Sequence, residues 1–335
     1  MPPLASGLGS QFGLAKEATY GVQLAATKFF EIDSAALALD QTYQDGVGLK
    51  ANRMFAPAGR QRATVRQAGG AVPMDVPTKG FGALLDLMHG LVPTVVQQAA
   101  TPAWLQTHLI GTSMPNKSAT LQVNKPTSQA ADIPTTYPGS ILTAVSFAFS
   151  ADGLLKCTLT WDSQDERTLT TTPAGLALAV ASYAAGVTSW MGTNGVTLTL
   201  GGVPVAVCRS GTIDWAQSYK TDRWFMGSGG LKQRPIPNAI QTTTGNLELE
   251  WFDETAYALF RSGAKAAFVL SFDNDVISGV HKETIGFSLP SIQLRGNSPQ
   301  LDGPDVLNQT IPYVAGYDGT NPPLTITYKS TDTAI

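Results

Sequence analysis

Residues able to act as nucleophiles, acid–base groups or metal ligands are few in this sequence, and their spacing fits none of the common chemistries. His89, His108 and His281 lie far apart, and none falls in a His-Glu-x-x-His or Cys-x-x-Cys context, so neither a metal centre nor a cofactor is expected. Cys157 and Cys208 each occupy an apolar alternating stretch, which predicts buried free thiols, because secreted disulfide frameworks are far denser in cysteine. There is no Gly-x-Ser-x-Gly elbow, and Gly227-Ser228-Gly229-Gly230-Leu231-Lys232 lacks the length and the Ser or Thr of a phosphate loop, so it reads as a turn. Asp273-Asn274-Asp275 opens like a calcium loop, yet Ile277 stands where the third oxygen ligand belongs. Asn116-Lys117-Ser118 and Asn308-Gln309-Thr310 match the glycosylation triplet, but the opening MPPLASGLGSQ has neither the positive region nor the apolar core of a secretion signal. The chain is read as a non-enzyme.

What remains is charge placed on a scaffold. Asp75, Glu248 and Glu250 fall on the polar phase of two alternating strands, where they belong either to a solvated sheet face or to a functional wall. Two long segments of little periodicity, Gln44 to Gly69 and Thr221 to Thr244, carry Arg53, Arg60, Arg62, Arg66, Arg223, Lys232 and Arg234 with few apolar anchors. Loops of that length in a compact chain are usually functional or mobile.

The elements that position these acids occur twice. From Gly70 the sequence alternates Val72, Met74 and Val76 with Pro73 and Asp75, the period of a half-buried strand. Thr78 then stands as helix N-cap, Phe81, Leu84, Leu85 and Met88 fall on one helical face, and Gly90 ends the helix. Adding 175 to each number reaches Leu247, Leu249 and Trp251, then Asp253 as cap, then Ala256, Leu259 and Phe260, and the second helix stops one turn earlier, at Gly263. Upstream, Gly48-Leu49-Lys50 is echoed by Gly230-Leu231-Lys232. This order predicts a duplication, with a first domain over 1–170, a junction over 171–184 and a second domain over 185–335.

Composition agrees with a folded, assembling chain. Of 335 residues 43% are hydrophobic and only 14% charged, a surface poorly suited to a dispersed monomer. The net charge of −3, with no run of five basic residues, argues against tight nucleic-acid binding. The longest apolar stretch, Gly175 to Val187, is too short to span a bilayer, so no membrane insertion is expected. Strands are read over Lys28–Ile32, Leu37–Tyr43, Leu105–Ile110, Ala119–Val123, Val196–Leu200, Val203–Val207, Gly211–Tyr219, Ala266–Phe272, Glu283–Leu289, Ile311–Tyr317 and Leu324–Tyr328. Pro115-Asn116-Lys117 is a turn, and Ile141–Ser150 with Leu154–Trp161 forms a hairpin around Asp152-Gly153. The fold class is mainly β with two short helices.

Several of these stretches, taken in order, resemble a known family. GSQFGLAKEATYG, VPTKGFGALLDLMHG, Ser118-Ala119-Thr120-Leu121, the Tyr137-Pro138-Gly139 turn and TLTWDSQDE together resemble the major tail tube proteins of long-tailed bacteriophages, closest to those of actinobacterial phages. The likeness continues more weakly through SLPSIQLRGNSPQLDG and PPLTITYKSTDT. It implies tandem tail-tube β-sandwich domains, each with one short helix, that join copies into a continuous β-barrel ring. Rings would stack into a channel that houses the tape-measure protein, meets terminator and distal tail proteins, and passes DNA without holding it. Such a protein would be assembled in the host cytoplasm and reside in the virion. Asp75, Glu248 and Glu250 would then face the lumen, and the basic segments would lie between rings. Six tube domains per ring would need three duplicated chains, or six if the second half is an outer decoration. The rival reading from another class is a virion-surface β-sandwich that binds a host ligand.

Overall fold

The computed structural model describes residues 6–48, 50–55, 57–88, 91–110, 117–127, 132–193, 195–251, 254–296, 298, 304 and 306–335. Its first half contains β1 (Phe12–Glu17), β2 (Lys28–Phe30), β3 (Ala38–Asp45), β4 (Gln61–Asp75), α1 (Gly82–Met88), β5 (Thr94–Gln97), β6 (Trp104–Leu109), β7 (Ser118–Lys125), β8 (Ile133–Ser150) and β9 (Lys156–Ser163). The second half contains β10 (Val196–Leu200), β11 (Val203–Pro204), β12 (Cys208–Ala216), β13 (Tyr219–Lys220), β14 (Ile236–Pro237), β15 (Thr242–Glu250), α2 (Thr255–Ser262), β16 (Lys265–Ser278), β17 (His281–Leu294), β18 (Asn308–Ala315) and β19 (Thr325–Ser330). The fold is mainly β, as expected, and every strand pairing is antiparallel.

Eight strands lie side by side in one layer, in the order β3-β4-β9-β8-β12-β15-β18-β17. The first four belong to the first half of the chain, the last four to the second, and the order within each four is the same. The other layer repeats as well: β1 pairs with β7 and β7 with β8, just as β10 pairs with β16 and β16 with β17. The registers match residue by residue. Asp75 stands opposite Lys156 as Glu250 stands opposite Asn308, and Ile141 stands opposite Asp162 as Gln293 stands opposite Val314.

Alternation explains the burial. Val72, Met74, Val145, Phe147, Leu159, Trp161, Ile213, Trp215, Leu247, Leu249, Ile311 and Tyr313 are all buried from the eight-strand layer, against Phe268, Leu270, Phe272, Ile285 and Phe287 of the other. Fully burying one such side chain contributes about 1.5–3 kcal/mol. The two halves share this core. Phe147 of β8 meets Phe287 of β17 with ring centroids 4.9 Å apart, and β6 of the first half pairs with β19 of the second.

The two helices differ in cover. Phe81, Leu84, Leu85 and Met88 are buried on and beside α1, which lies where the halves meet, and Phe81 packs 6.4 Å from Tyr328 of β19. On α2, Ala256, Leu259 and Phe260 reach the core but stay half-buried. Gly263 ends α2 in the left-handed conformation at φ 67, a geometry that favours glycine. Thr78 is not a helix cap, because α1 starts only at Gly82. Its hydroxyl accepts from the Thr188 amide at 3.0 Å instead. The caps read at Gly90 and Asp253 lie outside the described residues, as do His89 and the Pro115-Asn116 part of the turn.

Two expectations are corrected. Gln44–Gly69 is loop only in part: Gln61 onwards belongs to the long β4, paired with β3 as a projecting hairpin. Its outer part is exposed on both faces, so no core imposed a hydrophobic alternation that sequence reading could detect. Tyr137-Pro138-Gly139 is not a turn before a hairpin but lies within β8, which passes from one layer to the other there. Gly139 adopts φ 62, and a Cβ on it would stand 3.0 Å from the Tyr20 ring. The segment 171–184 runs against the first half, where Gln122 and Gln11 donate hydrogen bonds to the carbonyls of Ala177 and Ala179.

Candidate functional site

The outward face of the eight-strand layer carries the chain's conspicuous charge. Alternation turns Val72 and Met74 inward and therefore places Ala71, Pro73 and Asp75 outward, with Thr158, Thr160 and Asp162 beside them on β9. The same phase sets out Ser146 and Ala148 on β8, Ser210, Thr212 and Asp214 on β12, Asn246, Glu248 and Glu250 on β15, and Thr310 and Pro312 on β18. Asp40, opposite Gln67, joins them on β3. The face is thus small and polar, with six carboxylates against Lys156, Arg209 and the buried Lys232. Sequence reading named Asp75, Glu248 and Glu250 but missed Asp40, Asp162 and Asp214. The alternation within TLTWDSQDE already put Asp162 on the polar phase.

Local partners hold most of these acids. Lys156 Nζ lies 2.9 Å from Asp33 Oδ2 and 3.3 Å from Asp75 Oδ1, and the hydrogen bonds to Asp33 and Asp75 raise its pKa. Glu250 is 3.7 Å from Arg209 Nη1, at the bulge before Ser210. Glu248 accepts from Ser210 Oγ at 2.7 Å, and Asp214 accepts from Thr212 Oγ1 at 2.8 Å and from Ser146 Oγ. Hydroxyl donors orient the last two carboxylates while leaving their charge uncancelled.

The basic candidates separate into two groups. Arg60 and Arg62 are exposed near the tip of the β3–β4 hairpin, Arg60 in a short 3-10 turn, with Arg53 in the loop between them and β3. The tip also exposes Val47, Met54 and Phe55. Arg66, by contrast, pairs with buried Asp165 at 3.1 Å. Lys232 is fully buried and ion-paired to Asp162, whose pKa is raised by burial against the opposing pull of that lysine. Its loop folds back over the first half, with the Arg66 amide donating to Gly230 O at 3.0 Å and Gln164 Nε2 to Lys232 O at 3.0 Å. Arg223 donates to the Arg234 carbonyl and stacks over Phe225 at 5.6 Å.

The residues with catalytic potential are dispersed. Asp273-Asn274-Asp275 lies within β16, where Asp273 Oδ1 accepts from Thr284 at 3.0 Å and Asn274 donates to Thr188 at 3.0 Å. Both cysteines are free thiols, Cys157 buried and Cys208 half-buried. Burial pushes the Cys208 pKa up to about 11, away from reactivity. Among the described residues no group of His, Cys, Asp and Glu is arranged to hold a metal ion, and no helix is long and apolar enough to cross a membrane.

The described residues thus form a broad sheet with an acidic outward face, β3 at one end of it, and a projecting hairpin that carries Arg60 and Arg62. No curated protein matches the chain. A family model described as phage tail tube protein matches residues 7–315, nearly the whole chain, and the protein belongs to that family of phage tail tube proteins.

Proposed function

We propose that this chain builds the wall of a long-tailed phage's tail tube as rings of three copies, each copy supplying two tube-fold domains. Membership of the family makes it a structural virion component that assembles with itself into a tube and associates with other tail proteins. The observation that carries the ring reading is the eight-strand run, in which the order β3-β4-β9-β8 is repeated as β12-β15-β18-β17. It supports the division into 1–170, 171–184 and 185–335 as a duplication fused through one core. Three such runs give about 24 strands, which at roughly 4.8 Å spacing make a wall about 115 Å around and about 37 Å across before strand tilt. That width admits a DNA duplex after side chains are subtracted.

The acidic face then lines the lumen. Asp75, Glu248 and Glu250, joined by Asp214, present a surface of negative charge and hydroxyls that repels phosphate and offers no basic contact strong enough to arrest DNA. The lumen houses the tape-measure protein before ejection, and the ends of the tube meet terminator and distal tail proteins. Assembly occurs in the host cytoplasm, an actinobacterial one by the motif resemblance, and the chain has no catalytic role. Arg53, Arg60 and Arg62 at the hairpin tip, with Arg223 and Arg234, lie between stacked rings. Averaged end-on electron micrographs of purified tubes test the count: three copies with pseudo-sixfold density are expected, and six equivalent copies of the whole chain would overturn it.

A further inference from the structure

We propose that β19 is a strap: a separately docking strand that fixes the angle between the two halves of the chain and so makes the chain competent to build a tube. The proposal rests on the ring reading above and adds the element that sets the curvature of the eight-strand run. Leu324, Ile326 and Tyr328 alternate with Thr325, Thr327 and Lys329, and all three apolar side chains are fully buried. Tyr328 packs 6.4 Å from Phe81, which precedes α1, and Asp332 accepts from the Gly80 amide at 2.7 Å. The strand thus belongs to the second half by sequence and to both halves by packing.

Three features set this strand apart. First, its two edges are held by different halves: Thr325 to Lys329 stand opposite Ser288 to Thr284 of β17, and Thr325 to Ser330 opposite Leu109 to Trp104 of β6. Among the described residues β6–β19 and β8–β12 are the two pairings of strands that cross between halves, one in each layer. With β19 withdrawn, the ladder between halves would run along β8–β12 alone, a single line about which they can turn. Second, both members of the β6–β19 pair are additions to the repeat. Only Gly263 and Ala264 separate α2 from β16, whereas the β5–β6 hairpin stands between α1 and β7. In the first half, the place that β19 takes beside β17 holds just the bridge between Thr136 and Arg167. Third, the strand hangs on an exposed tether, Gly316 to Asn321, whose tip is folded on itself by Asp318 accepting from the Thr320 and Asn321 amides at 2.8 and 2.6 Å. β19 also comes more than 200 positions after β6, so an edge of β6 and the apolar side of α1 stand uncovered until it docks. Such an edge accepts an extended segment of alternating apolar residues. A ring closes only when the rotation from one domain to the next is fixed, and the strap fixes it within the chain.

Full-length protein with a site-specific protease sequence inserted between Asp318 and Gly319 tests the strap. Cut while folded, the chain should keep β19 bound, and gentle urea followed by gel filtration should remove the strand as a free peptide. The remainder should retain its β circular dichroism, show an enlarged radius in small-angle scattering and give at least tenfold fewer tubes. A synthetic peptide of residues 322–335, added in trans, should restore the yield. Thr107 and Thr327 stand opposite each other, so a disulfide formed by Thr107→Cys with Thr327→Cys should hold the strand in the cut chain and preserve tube yield through the same urea step. Wild-type tube yield from the chain without β19 would overturn the proposal, and so would global loss of circular dichroism on its release with no rescue by the peptide. These readouts do not depend on the number of copies per ring, so a six-copy ring would overturn the count and leave the strap standing.

Discussion

Replacing Lys232 by methionine separates two views of the second basic loop. If Lys232 belonged to a contact between rings, the variant would fold normally and assemble poorly. The structure instead places its side chain at 0% exposure against Asp162 at 15%, in a loop that also receives the Arg66 amide. Removing one member of a buried pair leaves a charge without compensation and typically costs about 3–5 kcal/mol. Because Asp162 keeps some access to water and can take up a proton, about 3 kcal/mol is the expected loss for Lys232→Met. The pH dependence follows from the direction of the shift. Burial already raises the Asp162 pKa in the folded state, so the fold holds that proton more tightly than the unfolded chain does, and stability contributed by this group falls as pH rises from the unfolded pKa to the folded one. Without Lys232 the folded value rises further and the window widens, so the deficit of the variant should be largest at neutral pH and shrink on acidification. Adding Asp162→Asn should recover most of the loss. Urea unfolding of unassembled protein at several pH values measures all of this. Wild-type stability of Lys232→Met combined with defective tubes would refute the reasoning and return Lys232 to the ring interface.

Other outcomes follow from the same structure. Asp86 on α1 is held by Lys117 at 2.7 Å and Lys16 at 2.6 Å. Burial works against its charge, but those hydrogen bonds outweigh it and lower its pKa, so its contribution should be complete above the unfolded value and be lost as pH falls through the folded one. Lys117→Met should cost about 2–3 kcal/mol in denaturant unfolding, because Lys16 remains. Phe81→Ala should destabilise the unassembled chain by about 3–5 kcal/mol, whereas Phe260→Ala should cost about 1 kcal/mol there and more in tubes, as compared by thermal unfolding of both forms. Arg60→Glu with Arg62→Glu should leave stability unchanged and slow tube growth in light scattering, since exposed charges affect association more than folding.

Much of this protein was legible before any coordinates, because the signals involved are local. The pleat sets a period of two, so Val72–Met74, Leu247–Leu249 and Phe147–Phe149 announced buried strand faces, and the same alternation placed Asp75, Glu248 and Glu250 outward. The helical face of Phe81, Leu84, Leu85 and Met88 is equally local, as is the stop at Gly263. Local signals failed where nothing local was at stake. The outer part of β4 has water on both faces and so no alternation, and β8 runs through Pro138-Gly139 because pairing with β7 and then β9 holds it on either side. Spacing along the chain could not reveal that Lys232 reaches Asp162, that Arg66 reaches Asp165, or that β8 lies against β12, since each joins residues 60 or more positions apart. Those contacts exist only once the whole sheet is assembled, because an ion pair or a strand edge is satisfied by whatever the fold brings beside it. The sequence by itself determined which side chains face the core, and the tertiary structure decided which charges are consumed internally and which strands lie side by side.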